Sequence, residues 1–223
     1  MAGEPQGPTP LAMHLRRIRR DLDSIADELE NSGQKVVIII ATDGIPTNER
    51  GYTGKEITQD FVNALNQVYK YPVWIIFRLC TNNLEVIEYY NGLDRLLERP
   101  VEVLNDFMDE AAEVHKCNPW INYATPLHRC REFGFHHRLF DLIDERALSL
   151  DEMVDFCALL FGDEIRDAPD PRVQWNDFTN ALKACMTAEG NQWCPNTKSN
   201  KPWINLSTLN YKYGKSGPGC TIV

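Results

Sequence analysis

A chain of 223 residues, 43% of them hydrophobic, has enough apolar surface for one sizeable core or two small ones. Its 32 acidic and 23 basic side chains give a formal charge of −9, which excludes a general nucleic-acid binder, since that function needs a basic face to displace phosphate counterions. No run approaches the ~18 consecutive apolar residues of a membrane span, and the first thirty residues hold a charged helix in place of an apolar signal core, so a cytosolic start is expected.

Thr9-Pro10 reads as a helix start, with threonine as N-cap and proline at the first helical position. Leu11, Leu15, Ile18, Leu22, Ile25 and Leu29 then recur every three or four residues, an amphipathic helix that Gly33 ends. "VVIIIA", 36–41, lacks alternation and is rich in β-branched residues, so it is expected as a fully buried strand. "GKEITQDFVNALNQVYKY" predicts a second helix with Ile57, Phe61, Leu65 and Val68 on one face. "PVWIIFRLC" (72–80) is a second buried strand, "NLEVIEYYNGLDRLLE" a third helix and "VEVLND" (101–106) a third strand. Alternating helix and strand predicts an α/β layer fold with a parallel sheet over 1–106.

After residue 106 the pattern turns mainly helical, through 107–190. "DEAAEVHKC", "TPLHRCREFGFHHRLFDLIDERA", "SLDEMVDFCALLFG" and "WNDFTNALKACM" carry it, with Ser149 and Glu152 placed as a capping box and Gly134 as a candidate break. The last two segments have the rhythm of two helices around an acidic loop. That loop lacks the aspartate ladder of a calcium site and reads as a metal-free hairpin. Residues 191–223 are turn-rich and end in a Gly/Pro/Ser tail.

The first strand ends on Thr42-Asp43-Gly44. Ligands of open parallel sheets bind beyond the carboxyl ends of the strands, where Asp43 lies and where Gly44 lets the chain turn sharply. Capping of the following turn is the simpler role for the same aspartate. The order "TPL", "VVIIIATDG", "PT" resembles the von Willebrand factor A-like family, doubly wound domains with a metal-ion-dependent adhesion site. The resemblance covers residues 7–106 and implies that Thr9 is the family's lone threonine ligand and Asp43 its late aspartate. It also implies a protein partner gripped at the strand-end face, where Gly44, Thr47 and Asn48 stand, often through an acid of the partner that completes the ion shell.

The departures are as informative. The family's Asp-x-Ser-x-Ser motif stands nowhere in the chain, and no strand precedes the Thr9 helix. Mg²⁺ takes about six oxygens in octahedral array, so a hydroxyl and a carboxylate leave most positions to water and binding should be weak or absent. The missing first strand would leave 36–41 with a bare, uncharged edge. Either another polypeptide supplies that strand or the chain is a shortened form of a longer one. The second is the favoured expectation.

The seven cysteines (80, 117, 130, 157, 185, 194, 220) show no CxxC pair and read as reduced thiols, several of them buried. Cys130 with His128 or His137 offers a nucleophile and a base, the alternative enzymatic reading, but nothing in the sequence marks an oxyanion site. Zinc would need four converging ligands, and HxxxH spacing is absent. No phosphate-cradling glycine motif appears. Cys220-Thr221-Ile222-Val223 has the form of a prenylation signal, although valine is not a usual last residue. A single lipid there would give only reversible contact with a cytosolic membrane face. The reading the sequence favours is a non-catalytic interaction module.

Overall fold

The computed structural model describes residues 7–97, 99 and 101–214, and the chain divides into two units, Met1–Asp106 with Glu132–Gly134 and Phe107–Arg131 with Phe135–Val223. The first unit contains α1 (Leu11–Ser32), β1 (Val36–Thr42), α2 (Lys55–Val68), β2 (Val73–Leu79), α3 (Leu84–Asn91) and β3 (Glu102–Leu104). The strands form one parallel sheet in the order β1-β2-β3. Register runs from Val36 opposite Val73 to Thr42 opposite Leu79, and from Ile76 opposite Glu102 to Arg78 opposite Leu104. Parallel pairing requires crossover connections, and α2 and α3 supply them.

One face of the sheet builds the core. Ile38, Ile75 and Phe77 join Leu15 and Leu22 of α1, Phe61 and Leu65 of α2, and Tyr90 of α3. Each fully buried leucine or phenylalanine there contributes about 1.5–3 kcal/mol. Ile25, expected on the same stripe, is exposed. Gly33 ends α1 at φ +65, the left-handed cap that a residue without Cβ adopts most readily. The start of α1 differs from expectation: Pro10 holds the N-cap position and no side chain caps the helix.

β1 is not buried on both faces as its unbroken apolar run suggests. Ile38 and Thr42 are buried, while Val37 is 41% and Ile39 43% exposed, so burial alternates along the strand. The reason is its place in the sheet. Among the described residues β1 pairs only with β2, so it is a border strand, whereas β2, flanked on both sides, is almost wholly buried. A short segment, Glu132–Gly134, reaches the outward face: a Cβ on Gly134 would lie 3.0 Å from both methyls of Val37, and Glu132 Oε1 lies 2.7 Å from Arg78 Nε.

The second unit contains α4 (Phe107–Cys117), α5 (Thr125–Glu132), α6 (Arg138–Glu145), α7 (Leu150–Phe161), α8 (Asp163–Arg166), α9 (Trp175–Glu189), an antiparallel pair β4 (Gln192–Cys194) and β5 (Ser199–Lys201), and α10 (Leu206–Tyr213). Gly134, at φ +86, separates α5 from α6. Ser149 and Glu152 make the capping box of α7 in both directions. Trp120 packs edge-on against Phe156 and Tyr213 at the centre of an apolar cluster with Met153, Phe178 and Leu182. The buried Asn118 side chain is fully used: its Nδ2 donates to the carbonyls of Ile143 and Arg146 at 2.9 and 2.8 Å, and its Oδ1 accepts from the Leu148 amide at 3.0 Å. The six described cysteines are all free, with Cys157, Cys185 and Cys194 buried. No helix among the described residues is long and apolar enough to cross a membrane.

Candidate functional site at the carboxyl end of the sheet

The turn after β1 is organised by a threonine. Thr42 is buried, its hydroxyl donates to the Gly44 carbonyl at 2.9 Å, and the same oxygen accepts from the Gly44 amide at 3.3 Å. Its carbonyl accepts from the Cys80 amide at 2.8 Å, which ties the turn to the end of β2. Tyr90 of α3 closes the turn from below, donating its phenol to the Gly44 carbonyl at 3.0 Å. Burial raises the Tyr90 phenol well above its ordinary pKa, the bond from Thr42 opposes that, and the charges of Tyr89 and Asp43 add to it. The phenol therefore stays protonated and donating at any physiological pH.

With the turn so fixed, Asp43 is held at the strand end with an exposed side chain. The loop that follows folds back on the start of α1. The Thr9 amide donates to Thr47 Oγ1 at 2.7 Å, and the Thr47 amide donates to the Thr9 carbonyl at 2.9 Å. Asn48 shapes the next turn, its Oδ1 accepting from the amides of Arg50 and Tyr52 at 2.9 and 3.0 Å. Thr9, Gly44, Thr47 and Asn48 are thus drawn into one loop cluster beside Asp43. Thr47 and Asn48 use their side-chain oxygens to hold that cluster. The Thr9 hydroxyl has no hydrogen bond among the described residues and does not cap α1.

The turn presents the Asp43 carboxylate, and Thr9 carries its hydroxyl on the segment paired with Thr47. Those two groups supply two oxygens where Mg²⁺ takes about six, so they do not by themselves fill the ion's shell. Among the described residues Asp43 belongs to no group of three converging His, Cys or carboxylate ligands. Thr42 and Tyr90 are the residues that sequence reasoning missed. Thr42 was legible as a hydroxyl two residues before a glycine, the pattern of a side chain closing a turn on the backbone. Tyr90 had no local signal, since its partner is 46 residues away.

The Cys130, His128 and His137 side chains have separate surroundings in the second unit. His128 is buried with its Nδ1 3.4 Å from the Tyr123 hydroxyl, and its ring packs near Phe107. His137 caps α6, its Nδ1 accepting from the Leu139 amide at 3.3 Å. Cys130 is exposed. Among the described residues these three form no converging ligand group. Cys220 lies outside the described residues. No protein-family model matches the chain, and no curated protein or solved structure matches it.

Proposed function

We propose that this chain is a non-catalytic protein-interaction module of von Willebrand factor A type, with an incomplete metal-ion-dependent adhesion site at Thr9 and Asp43. The observation that carries this reading is the looped-back start of α1, which ties Thr9 to the loop following Asp43 and leaves the Thr9 hydroxyl without a hydrogen bond among the described residues. The border position of β1 supports it as well, because a strand whose outer backbone edge is unpaired among the described residues, with Val37 and Ile39 exposed, is suited to receiving another polypeptide. On this reading an acidic side chain of the partner supplies oxygens that Thr9 and Asp43 lack, and Mg²⁺ binds tightly only in the complex. Prenylation of Cys220 would add a weak, reversible membrane contact.

A photo-crosslinking residue in place of Asn48 tests the proposal. Capture of a protein from cell extract should depend on Mg²⁺ and fall at least about fivefold in Asp43→Ala and Thr9→Val, equivalent to ~1 kcal/mol of binding. Both variants should melt like the parent chain. Capture that is indifferent to Asp43 and to chelation of Mg²⁺ sinks the adhesion-site reading. Calorimetry on the isolated chain should show no micromolar Mg²⁺ binding.

A further inference from the structure

In the second unit an open cavity of about 830 Å³ lies beside the end of α9, the β4–β5 hairpin and the start of α10. Ile121, Met186 and Ile204, all buried, give it an apolar floor. Lys183 and Lys201 stand on its wall with His115, and among the described residues no aspartate or glutamate lines it. Among the described residues neither lysine has a carboxylate within ion-pair distance. A site of this size suits a small organic molecule, and its charge suits an anion.

Asn122 braces the wall that carries Lys201. It lines the cavity and is only 6% exposed. Its Nδ2 donates to the carbonyls of Gln192 and Lys201, both at 3.3 Å. Two carbonyls can only accept, so they fix which way the amide faces. The Oδ1 atom is left buried with no donor. An unmet buried acceptor costs about 1–3 kcal/mol, and with no accessible surface this one is closed off from the cavity.

We infer that this cavity binds a small organic anion, a carboxylate, sulfonate or phosphate ester with an apolar body. The apolar body lies over Ile121, Met186 and Ile204, and the anionic group meets Lys183 and Lys201. The site is independent of the strand-end face of the first unit, and either assignment can fail alone.

Anilinonaphthalene sulfonate carries both features and reports binding by fluorescence. Its neutral relative, phenylnaphthylamine, lacks only the sulfonate, and sodium sulfate supplies the bare anion. The full chain should bind the sulfonate at one saturable site, at least about tenfold more tightly than the neutral dye. The double variant Lys183→Glu, Lys201→Glu should weaken it by about tenfold or more. Thr187→Trp, at an exposed position on the cavity wall, should block it while circular dichroism stays unchanged. Equal affinity for the neutral dye, displacement by sulfate at matched concentration, or indifference to Thr187→Trp would each overturn the proposal.

Discussion

Thr9 and Thr47 hold each other through two hydrogen bonds, amide to hydroxyl in one direction and amide to carbonyl in the other, at 2.7 and 2.9 Å. The Thr47 hydroxyl also donates to the Asn48 carbonyl at 3.0 Å. Thr47→Val keeps the branched shape and removes both hydroxyl contacts, so it should cost about 1–2 kcal/mol and lower the melting temperature by several degrees. Thr47→Ser should recover most of the loss. Thr9→Val, which removes a hydroxyl with no structural bond, should stay within about 0.5 kcal/mol of the parent in urea denaturation.

The close approach of Gly134 to Val37 gives a second test. At φ +86 an added Cβ is strained, and it would also meet both Val37 methyls at 3.0 Å. Gly134→Ala should destabilise by about 1–3 kcal/mol. Adding Val37→Ala should return only the share due to crowding, because the backbone strain remains. A double-mutant cycle separates the two.

Arg131 lies between two carboxylates in the second unit, its Nη1 2.6 Å from Glu110 Oε2 and 3.1 Å from Asp144 Oδ2. Burial holds the Asp144 carboxyl above its ordinary pKa, even though Arg131 pulls it down. A carboxyl that binds its proton more tightly when folded opposes folding above its folded pKa and ceases to do so as pH falls through it. Removing Arg131 enlarges that effect. Arg131→Met should therefore cost about 3–5 kcal/mol at neutral pH and visibly less near about pH 5, read from denaturation midpoints at both.

Glu152 behaves in the opposite sense. Its carboxylate takes a two-pronged bond from Arg146 at 2.7 and 2.8 Å and a bond from the Ser149 amide at 2.9 Å, which hold its pKa down to about 2. A depressed folded pKa means stability that is complete above the unfolded value and lost as pH falls towards the folded one. Glu152→Gln should flatten the acid limb of the stability curve between pH 4.5 and about 2 and leave the region above it parallel to the parent. An unchanged acid limb would show that the Arg146 pair contributes nothing in solution.

Much of this architecture was readable before any coordinates. The spacing of Leu15, Leu22 and Leu29 gives α1, the apolar runs give β1 and β2, and Ser149 with Glu152 marks the start of α7. The half exposure of β1 was not readable, because an apolar run records what a strand tolerates and not how many neighbours cover it. The β4–β5 hairpin was legible only as part of a turn-rich stretch: Pro195 and Asn196 mark the turn, but the position at φ +50 is held by Lys198, which announces nothing. Of the candidate site, Asp43 and Gly44 were visible as strand-end chemistry. Thr47 and Asn48 were placed there by the family resemblance alone, and Tyr90 was not placed at all, because its bond to Gly44 spans 46 residues of sequence.

The return of Glu132–Gly134 to the first unit means that a cut after Asp106 does not release that unit whole. A fragment stopping at Asp106 would keep all three strands but strip the glycine from above Val37 and deprive Arg78 of its acid. Attempts to study the amino-terminal half by truncation should thus yield a stickier, less soluble species, and a circularly permuted or linker-joined version that restores those three residues is the sounder reagent.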